Sequence, residues 1–168
     1  IQSNTEIKKE SLSLLEYVEA AITNLNPDIQ STQAKIDINI PNDLKVNFNK
    51  GYLVSVLQNI IHNAIKYRHP DRHHEISITA KSTENALVFS ISDNGLGIDL
   101  EKNKHKIFGM YKTFHSNKNA LGLGLFMTKN QIEAMGGNIT VESELNKGTT
   151  FNIKLKNVWN IPFVSLMM

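Results

Sequence analysis

The apolar positions of this chain fall into runs whose period changes several times, and each change of period marks an expected element. Over residues 6–25, Leu12, Leu15, Val18, Ala21 and Ile22 recur at steps of three and four, which predicts an amphipathic helix closed by Asn26 and Pro27. A linker is expected after it. Ile36, Ile38 and Ile40 then alternate with polar residues, Pro41, Asn42 and Asp43 supply a turn, and Val46 and Phe48 begin another short run, so a hairpin is predicted. Over residues 50–67 a broad stripe of Leu53, Val56, Leu57, Ile60, Ile61 and Ala64 predicts a second helix, broken by Pro70 and Asp71.

Ile76 and Ile78, then Leu87, Phe89 and Ile91, alternate on either side of a polar turn at 82–85, which predicts a second hairpin ending at Asp93. Residues 94–120 carry Gly95, Gly97 and Gly109 among Lys and Asn with no sustained period; a connection of that length points to a functional loop or lid. A helical pattern resumes over 123–135 and is stopped by Gly136 and Gly137, and Ile139/Val141 with Phe151/Ile153/Leu155 form a last strand pair across 146–148. The reading is one domain over residues 1–156. Residues 157–168 are apolar without a period and contain Pro162, and form a C-terminal tail whose role the sequence leaves open.

Composition adds boundaries. With 40% hydrophobic and 20% charged residues the chain is far from disorder, and 168 residues bury a core without staples. Eighteen Lys and Arg against sixteen Asp and Glu give no global field, so any anion site must be local. The absence of cysteine excludes disulfides, thiolate metal sites and cysteine nucleophiles. No apolar stretch approaches the roughly 18 residues of a membrane span, so no direct membrane contact is expected; the expected compartment is cytoplasmic, with membrane attachment of a parent left open. The sequence opens on Ile1 rather than Met, and we expect it to be part of a longer chain.

Three features carry candidate chemistry. On the second helix Asn59, Asn63 and Lys66 lie at steps of four and three and share a face, where amide oxygens suit Mg²⁺ beside substrate phosphates and a lysine suits a phosphate. Ordinary solvated amides are the plain alternative. Asp93, Asn94, Gly95, Leu96, Gly97 and Ile98 follow a strand that stops at the carboxylate, which can accept the exocyclic amino group of adenine while the glycines admit a flat base to the backbone. A tight Asp-Asn-Gly turn would read the same way. Gly122, Leu123, Gly124 and Leu125 open a helix, whose free N–H groups and dipole favour phosphate, and Gly148, Thr149 and Thr150 sit in the last hairpin, where a hydroxyl could join Asp93.

In order and spacing these segments resemble the ATP-binding domain of histidine kinases: residues 57–67 resemble its N box, 93–98 the first glycine box, 107–114 the F box and 120–125 the second glycine box. The likeness covers about residues 10–156. It implies the Bergerat, or GHKL, fold, an α+β class: a two-layer α/β sandwich with a mixed, mostly antiparallel sheet against about three helices and a mobile ATP lid. By position, Asn63 resembles the Mg²⁺ ligand, Asn59 and Lys66 phosphate-side contacts, and Tyr67 the residue stacked near adenine. Asp93 resembles the adenine-reading carboxylate, with Gly95, Gly97 and Ile98 beside the base, Gly122, Leu123, Gly124 and Leu125 under the phosphates, and Thr149 as helper. Two departures stand out: Ala120 replaces a usual glycine, and Thr113 takes the usual F-box arginine position, leaving Lys112, His115 or Lys118 to meet the γ-phosphate.

The resemblance further implies ATP and Mg²⁺ as ligands, a phosphoacceptor histidine on a dimerisation domain absent from this chain, a homodimeric parent and a response regulator receiver domain as partners. ATPases of the same fold place a glutamate one turn before the metal-binding Asn; here that residue is Asn59, and an amide is no general base. Transfer to histidine is therefore expected over hydrolysis, with a serine kinase or a regulatory nucleotide-binding module as alternatives. His74 with Glu75 is expected to be surface structure, and the basic cluster of Arg68, His69, Arg72, His73 and His74 a solvated turn, not a nucleic-acid site, since no aromatic residues interleave it.

Overall fold

The computed structural model describes residues 6–109 and 124–157, and its element order follows the changes of period. The chain runs through β1 (Glu10–Ser13), α1 (Leu14–Asn24), α2 (Asn26–Thr32), β2 (Lys35–Asn39), β3 (Lys45–Phe48) and α3 (Lys50–Lys66). It continues through β4 (Glu75–Ser82), β5 (Ala86–Asp93), α4 (Leu100–Asn103), α5 (Gly124–Ala134), β6 (Asn138–Glu144) and β7 (Gly148–Lys156). Five strands form one sheet in the order β2-β4-β5-β7-β6; every neighbouring pair is antiparallel except β2 with β4. β1 and β3 pair as a separate antiparallel ribbon. This is the expected α+β architecture with a mixed sheet, although α2 and α4 add two short helices to the three long ones.

The alternation on β5 explains the layering: Leu87, Phe89 and Ile91 are buried, and the residues between them are only partly covered. The buried face joins one core with Leu53, Val56, Leu57, Ile60, Ile61, Ala64 and Ile65 of α3. Each buried Leu, Ile or Val among them contributes about 1.5–3 kcal/mol by leaving water, so α3 is fixed by packing far more than by its own propensity. Its start is set by Asn49, whose side chain accepts the Tyr52 N–H at 3.1 Å. Its end is set by Tyr67, whose N–H donates to the Asn63 carbonyl. At the other end of the helix layer, α5 stops in a Schellman motif, with Gly137 N–H on the Ile132 carbonyl, Gly136 N–H on the Glu133 carbonyl, and Gly136 at φ 77°.

Four expectations are corrected. The helix predicted over 6–25 begins only at Leu14, because residues 10–13 pair with β3 and Ser13 caps the helix by accepting the Glu16 N–H at 3.3 Å. Pro27 does not open a linker: it occupies the first turn of α2, where its missing N–H costs nothing. The predicted hairpin of 35–48 does not form, since β2 pairs in parallel with β4 and β3 crosses to β1, each finding a partner far away in sequence. His74 is not surface structure. It continues the inward side of β4, is 3% exposed, and its Nε2 lies 2.9 Å from the Ala64 carbonyl while Nδ1 has no partner among the described residues; burial lowers its pKa.

Asn157 belongs with the sheet, donating to Ser82 Oγ at 2.9 Å and to the Thr83 carbonyl at 2.7 Å, and the rest of the tail lies outside the described residues. Among the described residues no helix is long and apolar enough to cross a membrane.

Candidate functional site

The apolar rows of the sheet end in a polar one. In the β5–β7 and β7–β6 registers Asp93 stands opposite Thr149, and Thr149 opposite Ser143. Directly opposed residues of antiparallel strands project to the same face, and here that face is the one bearing Ile91, Phe151 and Ile153. The core is thus closed at one end by a carboxylate and two hydroxyls. Asp93 Oδ1 accepts the Gly95 N–H at 2.8 Å and the carboxylate also accepts the Thr149 N–H; burial outweighs both bonds and pushes its pKa up to about 6. A carboxylate has roughly four lone-pair sites, so capacity for a further donor remains.

The loop at 94–98 is fixed from three sides. Leu96 N–H donates to the Tyr67 carbonyl at 2.9 Å, Asn146 N–H to the Leu96 carbonyl at 2.8 Å, and Ile98 N–H to Ser143 Oγ at 2.8 Å. Two glycines permit this closeness: a Cβ on Gly95 would lie 2.2 Å from the Tyr67 carbonyl oxygen, and one on Gly97, at φ 70°, 2.0 Å from that of Glu144. Asn94 ties the loop back to β4, its Oδ1 accepting the Glu75 N–H and its Nδ2 donating to the His73 carbonyl.

The bond from Leu96 to Tyr67 joins the loop to the C-terminal end of α3, so the two segments singled out in the sequence meet. Asn59 stands between α3 and α5, its Nδ2 donating to Thr128 Oγ1 at 3.3 Å and to the Gly124 carbonyl at 3.4 Å. Asn63, one turn on, is half-buried, and its side chain makes no hydrogen bond among the described residues. Lys66 Nζ lies 5.5 Å from the centre of the Tyr67 ring, and burial raises the Tyr67 pKa. From Asn59 to Tyr67 the helix rises about 12 Å, enough for a base at one end and phosphates at the other. Ile98 and Leu125 are half-buried against the core. Lys112, Gly122 and Leu123 lie outside the described residues, as do Thr113, His115, Lys118 and Ala120.

Sequence reading missed two residues. Arg72 is exposed in the expected turn, but its Nη1 donates to the Asn94 carbonyl at 2.8 Å and the Lys147 carbonyl at 3.3 Å, and its Nη2 to the Asn146 carbonyl, clamping the glycine loop to the β6–β7 turn. Ser143 joins Ile98, Gly148 and Thr149. Neither has a local signature: Arg72 reaches loop carbonyls 22 to 75 positions away, and Ser143 meets Ile98 across 45.

A buried acceptor beside a stretch of bare backbone fits a flat base carrying an amino group, and an unengaged amide one turn from a lysine fits the hydrated cation of a nucleotide phosphate. Fold and site together define an ATP-binding domain of the GHKL class. The chain belongs to the family of histidine kinase-, DNA gyrase B- and HSP90-like ATPases, whose family model matches residues 49–158. It is 30% identical over 154 residues to the sensor protein RprX of Bacteroides fragilis (strain YCH46), covering 89% of this chain and 30% of that protein. It is 36% identical over 121 residues to the sensor histidine kinase WalK of Bacillus subtilis (strain 168), covering 70% and 20% respectively. This chain therefore spans less than a third of these curated relatives. In fold it superposes on the catalytic domain of histidine kinase ThkA with a TM-score of 0.76 at 24% identity, covering 89% of this chain and 97% of that one.

Proposed function

We propose that residues 1–156 form the catalytic domain of a two-component sensor histidine kinase, which delivers the γ-phosphoryl group of ATP to a histidine on an upstream dimerisation domain of its parent. The observation that carries this reading is the buried Asp93 carboxylate, held at the foot of a glycine loop that is bonded to the C-terminal end of the helix bearing Asn59, Asn63 and Lys66. In this reading Asp93 and Thr149 receive the adenine, Gly95, Gly97, Ile98 and Tyr67 enclose it, and Asn63 ligates Mg²⁺. Asn59, Lys66, Gly122, Leu123, Gly124 and Leu125 are the phosphate-side residues, and the cation for the γ-phosphate comes from Lys112, His115 or Lys118. Bound Mg²⁺-ATP supplies the phosphoryl group and offsets its charge. The chain's own residues hold it in line for an incoming imidazole, and the position one turn before Asn63 carries an amide instead of a base to activate water.

Asn59 favours transfer over hydrolysis: its amide nitrogen donates to Thr128 and Gly124, and an amide takes up no proton near neutral pH. The partners in this reading are the histidine domain of the same homodimeric parent and a response regulator receiver domain. The test is to incubate the full-length parent with ATP radiolabelled at the γ-phosphate and to treat the product with acid. Acid-labile, base-stable label on the protein is expected. Acid-stable label would mean a hydroxyl acceptor, and nucleotide binding without any label would mean a regulatory module.

A further inference from the structure

Thr149 carries one hydroxyl proton, and its neighbours decide where that proton points. Ser143 Oγ lies 2.8 Å from each of three groups: the Ile98 N–H, the Gly148 carbonyl oxygen and the Thr149 hydroxyl. A backbone N–H can only donate and a carbonyl can only accept, whereas a hydroxyl has one proton and two lone pairs. Ile98 fills one lone pair of Ser143. The only proton of Ser143 goes to Gly148, which can take part in no other way. What remains on Ser143 is a single lone pair, so Thr149 is the donor in the third bond.

We infer that Ser143 is a specificity-positioning residue of the nucleotide site: by taking the Thr149 proton it makes Thr149 Oγ1 a pure acceptor toward the cleft. This rests on the adenine site proposed at Asp93. The ionised Asp93 carboxylate also only accepts, so the two neighbouring positions of the row offer lone pairs and no donor. The exocyclic amino group of adenine has two N–H bonds and matches that pattern. A 6-keto purine, guanine or hypoxanthine, has a carbonyl at the same position and meets only lone pairs. With Ser143 in place the Thr149 hydroxyl cannot turn to serve the keto oxygen. Discrimination is therefore set partly from β6, one strand beyond the residues that would touch the base.

The test uses calorimetric affinities of the whole chain for ATP and for inosine triphosphate, which carries a carbonyl where ATP carries the amino group. Ser143→Ala frees the Thr149 proton, so the ATP preference should narrow by about tenfold, with the inosine nucleotide gaining affinity. Ser143→Cys, a much weaker donor and acceptor of similar volume, should narrow it in the same direction and serves if the Ala variant does not fold. In a Thr149→Val background, where there is no proton to redirect, the Ser143 substitutions should leave the ratio unchanged. Equal losses for both nucleotides, or the same narrowing with and without the Thr149 hydroxyl, would reduce Ser143 to a loop anchor and overturn the inference. An unmodified chain that binds both nucleotides equally well would instead remove the Asp93 reading beneath it.

Discussion

Asp93→Asn should make the folded chain more stable at neutral pH while abolishing its preference for adenine. Burial lifts the Asp93 carboxyl from 3.8 to about 6, a difference of about 2 pKa units, and each unit corresponds to about 1.4 kcal/mol, so the ionised group costs the folded state about 3 kcal/mol at pH 7. The folded pKa lies above the unfolded one, so folding favours the protonated form. The contribution of Asp93 is fully present below pH 3.8, is lost as pH rises toward and through about 6, and is level above that. Asparagine is neutral throughout. Its oxygen can still accept an N–H as the carboxylate does from Gly95 and Thr149, but its NH₂ can accept neither, so a net gain of about 1–2 kcal/mol is expected near pH 8. That gain should vanish or reverse near pH 4. Urea unfolding of both proteins across this range reads the difference directly. A difference independent of pH, or an Asn variant less stable at pH 8, would refute the claim that burial dominates at Asp93. A group that opposes folding at working pH is the usual sign of a stability–function trade.

Other substitutions separate the parts of the site. Gly97→Ala combines a positive φ with a Cβ at 2.0 Å from the Glu144 carbonyl, so it should cost more than about 2 kcal/mol in denaturant unfolding and eliminate nucleotide binding. Asn63→Ala touches no hydrogen bond among the described residues; stability should stay within about 0.5 kcal/mol while calorimetry loses the Mg²⁺ dependence of ATP binding. Arg72→Gln releases the glycine loop from the β6–β7 turn at an exposed site, and should weaken ATP binding about fivefold with little change in midpoint. An unchanged affinity there would mean that the remaining bonds already fix the loop.

Where a run of the sequence had one clean period and a nearby partner, the element was legible: α3, the β4–β5 hairpin and the β6–β7 hairpin all stand where their patterns put them. Leu12 misled because it fits the spacing of α1 yet lies in β1; the Ser13-x-x-Glu16 cap was the signal that would have placed the helix start. β2 and β3 were misassigned because alternation gives a strand's faces and says nothing of its partner. The same limit governs the site. Asp93, Gly95 and Gly97 stood out through residue type and order, and the structure bonds their loop to the Tyr67 carbonyl at the end of α3. Arg72 and Ser143 act across 22 to 75 and 5 to 45 positions of sequence respectively, through contacts that only the folded chain brings together.

The β4–β5 turn lies at the far end of the sheet from the cleft. Asp93 and Ala86 bound β5, and seven residue steps of about 3.3 Å put some 23 Å between them. Severing the chain at 83–85 leaves Asn59, Asn63, Lys66 and Tyr67 on one piece and Asp93, Gly95, Gly97 and Thr149 on the other, with the cut well clear of every one of them. Each piece holds half of the proposed site, so ATP capture by the mixture is the expected readout of their reunion. Fused to two proteins of interest, halves too weakly associating to reunite alone would report the meeting of those proteins by binding a small molecule.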